Sequence, residues 1–120
     1  MHHLKELKIW SKSIDLTVEV YKATSIFPTE ETYGLISQAR KSAVSISSNI
    51  AEGAGRHSNN EFIHFLGIAN GSSYELQTQL VISNKLGYLK EERLSPILQS
   101  IDEVQKMNYG LINSLKENKN

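Results

Sequence analysis

The residues best suited to chemistry in this chain lie between Ser47 and Phe62, in the run SSNIAEGAGRHSNNEF. Glycines beside a cation suggest phosphate binding. A Walker-type loop, however, needs a lysine followed by Ser or Thr after its second glycine, and a strand before it. GAGRHS has no such lysine, and the pattern before it is helical. Glu61-Phe62-Ile63-His64 has the Glu-x-x-His spacing with which di-metal bundles project two ligands from one helix. Such a site also needs a second Glu-x-x-His and two further glutamates, and His2, His3 and His57 supply no second pair. Without cysteine the chain has neither a thiolate nucleophile nor thiolate ligands. No acid–histidine–serine set with an oxyanion loop stands out either. No catalytic residue, metal ligand or cofactor is therefore expected.

The stretch reads better as punctuation between helices. Ser58 and Glu61 form a capping box: the serine accepts from the Glu61 N–H while the glutamate reaches back. Gly53 and Gly55 offer positive-φ freedom for ending the preceding helix.

Around this turn the apolar residues recur at three and four, and period-two alternation is absent. In the first segment Trp10, Ile14, Val18 and Tyr21 form a stripe, widened by Ile9, Leu16, Val20 and Phe27. Pro28 then breaks the pattern, with Thr29 as the expected N-cap of the second segment and Glu30 and Glu31 in its first turn. That segment carries Leu35, Ala39, Ala43, Ile46 and Ile50; the third carries Phe62, Leu66, Ala69, Ser73, Leu76 and Leu80. Gly87 marks a stop. The fourth segment carries Leu94, Ile97, Ile101, Val104, Leu111 and Leu115, and starts either near Glu91 or at Ser95 with Pro96 as its first residue. The expectation is an all-α, up-down-up-down four-helix bundle, one domain over residues 1–120 with a frayed tail from about 116.

Thirteen basic residues balance thirteen acidic ones, so no overall field draws the chain toward nucleic acid. The N-terminal run MHHLKELKIW lacks the apolar core of a signal peptide, and no apolar run is long enough to span a bilayer. A cytoplasmic protein without a membrane partner is expected.

The middle helices are unusual. Opposite its core stripe the second segment presents Ser37, Gln38, Lys41, Ser42, Ser45, Ser48, Asn49 and Glu52, a polar face with few charges. The third adds a second apolar line of Ile63, Tyr74 and Val81, with Gly67, Asn70 and Thr78 beside it. A helix apolar on two sides is buried on two sides, which points to a homo-oligomer. An antiparallel hairpin centred near His57 would set Gly67 near Ser47 and Gly71 near Ala43, with Arg40 opposite Glu75 as an ion pair.

The run from IFPTEETYGLISQARKSAVS through SSNIAEGAGRHSNNEFIHFLGIANGSSYELQTQL to LGYL resembles the four-helix-bundle proteins encoded in intervening sequences of bacterial 23S ribosomal RNA genes. That family is in turn similar to the accessory proteins of diversity-generating retroelements, which are basic where this chain is neutral. The matching positions are Asn49, Glu52, Gly53, Gly55, Arg56, Glu61, Phe62, Gly71, Ser72 and Glu75. The resemblance implies a ring-like homopentamer without enzymatic activity, associated with a ribonucleoprotein or with nucleic acid.

Three functions follow in order. The first is a non-catalytic oligomeric scaffold that binds RNA or a ribonucleoprotein through Lys41, Arg56 and His57. The second is an assembly scaffold whose partner is a protein, and the third is a metallo-bundle enzyme built on Glu61 and His64.

Overall fold

The computed structural model describes residues 2–118. Four α-helices account for most of them: α1 (Lys8–Thr24), α2 (Leu35–Ala54), α3 (Asn59–Lys85) and α4 (Glu91–Glu117). A 3-10 turn at Leu4–Glu6 precedes α1 and a second, Thr29–Glu31, precedes α2. The molecule measures 48 × 23 × 20 Å. Helix α2 packs against α1 and α3, and α4 packs against α3 and α1, around one hydrophobic core.

On α2, α3 and α4 the core stripe falls where the periodicity puts it: Ala39, Ala43, Ile46 and Ile50; Phe62, Leu66, Ala69, Leu76 and Leu80; Leu94, Ile97, Ile101, Val104 and Leu115. Helix α1 is rotated from expectation. Its buried side is Ile9, Ser13, Leu16, Val20 and Ala23, whereas Val18 and Tyr21 face outward. Two polar residues allow this rotation. Ser13 donates to its own helix at Trp10 O, and Thr17 donates both to Ser13 O and across to Ala43 O on α2 (3.1 Å). Sequence hydropathy ranks such residues as outward-facing, but satisfied hydroxyls can be buried at little cost.

The helix ends are set by local chemistry. Thr29 is not an N-cap: Thr29–Glu31 is a separate 3-10 turn and α2 starts at Leu35. Gly34, with ψ −115°, takes the chain out of the helical range, and the Leu35 N–H is then met by Glu31 Oε1 at 3.1 Å. The acid still serves a helix N-terminus from one turn upstream. Gly87 stops α3 at φ +83°, with Tyr88 N donating to Ser83 O and Gly87 N to Asn84 O, a Schellman motif. Helix α4 starts at Glu91, so Pro96 lies inside it and not at its first position. It runs through Glu117, into the expected tail, and Asn59 Nδ2 donates to Leu115 O and Asn118 O to hold that end. Residues 119 and 120, also part of that expected tail, lie outside the described residues.

Candidate functional site

At the α2–α3 turn the hydroxyl of Ser58 accepts from Glu61 N at 3.2 Å, as the capping box requires. The Glu61 carboxylate does not return to the backbone; it accepts from the Ser58 hydroxyl (3.2 Å) and faces Arg56 (4.0 Å). Arg56 also pairs with Glu52 at 3.1 Å and lies over the Phe65 ring, 4.8 Å from its centroid. Both carboxylates thus compete with any anionic ligand for this guanidinium. His57 next to it is exposed.

Neither Gly53 nor Gly55 uses positive φ, which among the described residues belongs to Gly87 alone. Gly55 closes α2 in right-handed geometry (φ −83°) because its N–H still reaches Ala51 O. Gly53 has a different role. A Cβ there would stand 2.8 Å from Phe62 Cδ1 and 2.9 Å from Phe65 Cβ, so the glycine is what lets α3 start flush against α2. Asn49 bonds back along α2 to Ser45 O (2.8 Å).

Lys41 stands apart from the turn. It is fifteen residues from Arg56, about 22 Å along a helix axis, so the structure brings Arg56 and His57 together without Lys41. Lys41 lies instead in an open groove of about 380 Å³ between α2 and α3, lined by Gln38, Ser42, Ser45, Ser72, Glu75 and Gln79. Ser45 and Ser72 bond across its floor at 2.8 Å. The groove continues over α3 past Gly71, Tyr74, Thr78 and Ile82, and over α2 toward Val44, Arg40 and Tyr21. Val18, Tyr21, Val44, Ile68, Tyr74 and Ile82 are large apolar residues left exposed on α1, α2 and α3.

Three expected contacts are absent among the described residues. Arg40 does not meet Glu75: its Nε donates to Thr24 Oγ1 (2.9 Å), its Nη2 to Tyr21 O (3.2 Å), and its guanidinium lies 4.5 Å from the Tyr21 ring centroid. One carbonyl and one hydroxyl in the last turn of α1 take its donors instead. Gly67 and Gly71 do not pack on Ser47 and Ala43; a Cβ at either would meet nothing within 4 Å. Both face outward on α3, on the same side as Tyr74, Thr78 and Ile82.

The metal-enzyme reading loses its geometry. Glu61 and His64 are exposed, not turned into the bundle, and among the described residues no group of three or more His, Asp or Glu is placed to hold a metal ion. Sequence reasoning passed over Asn108 and Asn59. Asn108 is buried and donates to Leu66 O at 2.9 Å, while Asn59 ties α3 to the end of α4. The signal for Asn108 was present. It continues the 3–4 rhythm of Leu94, Ile97, Ile101 and Val104, a core position occupied by an amide.

A solved structure of a protein of unknown function from the S23 ribosomal protein family of Bacteroides thetaiotaomicron superposes with a TM-score of 0.78. It covers 87% of this chain and 97% of its own at 24% identity, a likeness of fold. No curated protein sequence matches the chain. The model of the family described as 23S rRNA-intervening sequence protein matches residues 5–110. With nearly its whole length matched, and with the four helices that this length builds, the chain belongs to the 23S rRNA-intervening sequence protein family.

Proposed function

We propose that this protein is a non-catalytic, cytoplasmic scaffold, a single-domain up-down-up-down bundle that assembles with copies of itself through the outer face of α3. The observation that carries the reading is the outward stripe of Gly67, Gly71, Tyr74, Thr78 and Ile82 on α3. Two glycines in the middle of an α-helix each cost about 1 kcal/mol relative to alanine. Within one copy nothing packs against them. A second helix brought close along that stripe gives them a use, since small residues let two backbones approach. The up-down order draws support from Gly53 lying against Phe62 and Ser45 against Ser72, partners that recede along α2 as they advance along α3. Family membership favours a ring of five. Light scattering over a dilution series tests the reading; a monomer at micromolar concentration defeats it.

The partner in this reading is RNA or a ribonucleoprotein, with Lys41 the main contact. It is exposed in the groove and makes no ion pair among the described residues. Arg56 and His57 contribute at the turn once the two carboxylates yield. Repetition around an assembly multiplies weak contacts of this kind. RNA affinity measured at two salt concentrations checks it, because phosphate contacts make affinity fall steeply with salt. A flat salt response favours a protein partner.

A further inference from the structure

Lys41 borders two hollows. Toward α3 lies the groove that also holds Glu75. Toward α1 lies a larger one of about 550 Å³, lined by Tyr21, Ser37, Arg40, Lys41, Val44 and Ser45. That volume is of the size that holds a small molecule. No carboxylate lines it, and none of its residues belongs to the outward stripe of α3. No ion pair among the described residues uses Arg40 or Lys41. In a chain whose formal charges cancel, two consecutive cations without a counter-ion thus border one hollow.

Arg40 is held there as an anion receptor is held. Thr24 Oγ1 and Tyr21 O accept from its Nε and Nη2, and its guanidinium lies over the Tyr21 ring. These partners are all neutral, so the guanidinium is fixed in place with its charge unspent. Its third nitrogen, Nη1, has no hydrogen-bond partner among the described residues and keeps solvent-accessible surface. The Ser37 hydroxyl, one turn earlier on α2, is in the same state, and Lys41 is exposed. Three unengaged donors from separate side chains therefore border the hollow, and all can be reached from it.

We propose that this hollow seats the terminal phosphate of a nucleotide, a monoester whose oxygens accept from Arg40 Nη1, Lys41 Nζ and Ser37 Oγ. Two positive charges match a monoester, which carries about −1.5 to −2 at pH 7. A phosphate inside a strand carries one negative charge and leaves one cation unmatched. Three separate donors also suit the three terminal oxygens of a tetrahedral group better than the two of a carboxylate. Tyr21 and Val44 give the carbon part of the ester an apolar wall. The phosphate can end a strand or belong to a free nucleotide; the chemistry at the seat is the same. Nucleotide as the ligand class rests on the RNA reading of Lys41 above, which asks only for a phosphate of any kind.

Calorimetric titration of the full-length protein with hexauridylate bearing either a 5′-phosphate or a 5′-hydroxyl tests this. The phosphorylated strand should bind about tenfold more tightly, through charge-assisted hydrogen bonds that the other cannot make. Lys41→Gln alters an exposed residue and should fold normally while cutting that preference to about twofold or less. Equal, measurable affinity for the two strands overturns the proposal, and so does an unchanged preference in Lys41→Gln. In the first case salt-dependent binding of both strands keeps the RNA reading, so the seat fails alone. Uridine 5′-monophosphate then separates the sources: an affinity within about tenfold of the phosphorylated strand assigns the free nucleotide, and weaker binding assigns the strand end. Binding of the monophosphate without either strand keeps the seat and overturns the RNA reading. No binding of any of the three overturns both.

Discussion

Helices α3 and α4 are both 27 residues long and both line the core, yet their outward sides differ. Helix α4 carries eight charged residues and α3 carries three. On α4 the charges form ordinary surface pairs: Lys106 with Asp102 at 3.0 Å, and Glu103 with Lys12 of α1 at 3.2 Å. Such pairs contribute little stability but keep a helix soluble. On α3 the exposed positions hold Ile68, Tyr74 and Ile82, with Gly67 and Gly71 among them. One helix meets water with paired charges and the other with apolar side chains and glycines.

The contrast breaks most decisively by making α3 resemble α4. Ile68→Lys with Ile82→Lys should weaken self-association on the order of 100-fold, because charges buried at an interface are left unpaired. Helix content by circular dichroism should stay unchanged, while the charge reversal Lys106→Glu on α4 should leave the assembly intact. Persistence of the assembly in the double variant would mean that the α3 face is free.

The next effect separates glycines that close a core from glycines that face outward. Gly53→Val should cost about 1–3 kcal/mol in chemical denaturation, since the new side chain runs into Phe62 and Phe65. Gly67→Ala should raise monomer stability by about 0.5–1 kcal/mol through helix propensity. In the assembled protein the same alanine should loosen association, so its sign reports whether a second backbone lies there.

A smaller effect tests where the few charges of α2 are spent. Arg40→Ala should cost about 1 kcal/mol through its lost bonds to Thr24 and Tyr21. Glu75→Ala should change little, and a double-mutant cycle between the two should give no coupling.

The smallest concerns the other end of the bundle. The Tyr88 phenol donates to Glu31 Oε2 at 3.2 Å, and this bond holds its pKa above the ordinary 10.0, aided by desolvation and by the negative charge of Glu31 and Glu30. The folded state therefore keeps the proton longer than the unfolded chain does. That contribution is fully present below the ordinary value and fades as pH rises through the raised one. Tyr88→Phe keeps the ring contact with Phe27 but should lose less stability than wild type between about pH 9 and about pH 11, read from denaturation midpoints.

What the sequence revealed and what it concealed divide along one physical line. Ser58 as a cap and Gly87 as a stop are local events, decided within four residues of the chain, and both were legible. The core stripes of α2, α3 and α4 were legible because periodicity is also local. The partner of Arg40 and the surroundings of Gly67 and Gly71 depend on helix register and rotation, which no single segment encodes. The rotation of α1 was hidden because Ser13 and Thr17 satisfy their hydroxyls on backbone carbonyls. Of the candidate contacts, the exposure of Lys41 on a polar face could be read from the wheel. The two carboxylates that hold Arg56 could be read only in part, since Glu52 lies one turn back on the same helix and Glu61 across the turn.

Asn59 has a consequence for how this chain can be joined to others. Its side chain donates to Asn118 O at 2.6 Å, and its Oδ1 lies 3.5 Å from His2 Nε2, so one amide touches both ends of the described chain. Anything fused before His2 or after Asn118 must leave from the same end of the rod, beside Arg56 and His57. The opposite end, where Tyr33 is 93% exposed, stays uncovered. A short link between residues 118 and 2 would close the backbone into a circle, and reopening it at Tyr33 would give a permuted chain whose appendages emerge at the far end.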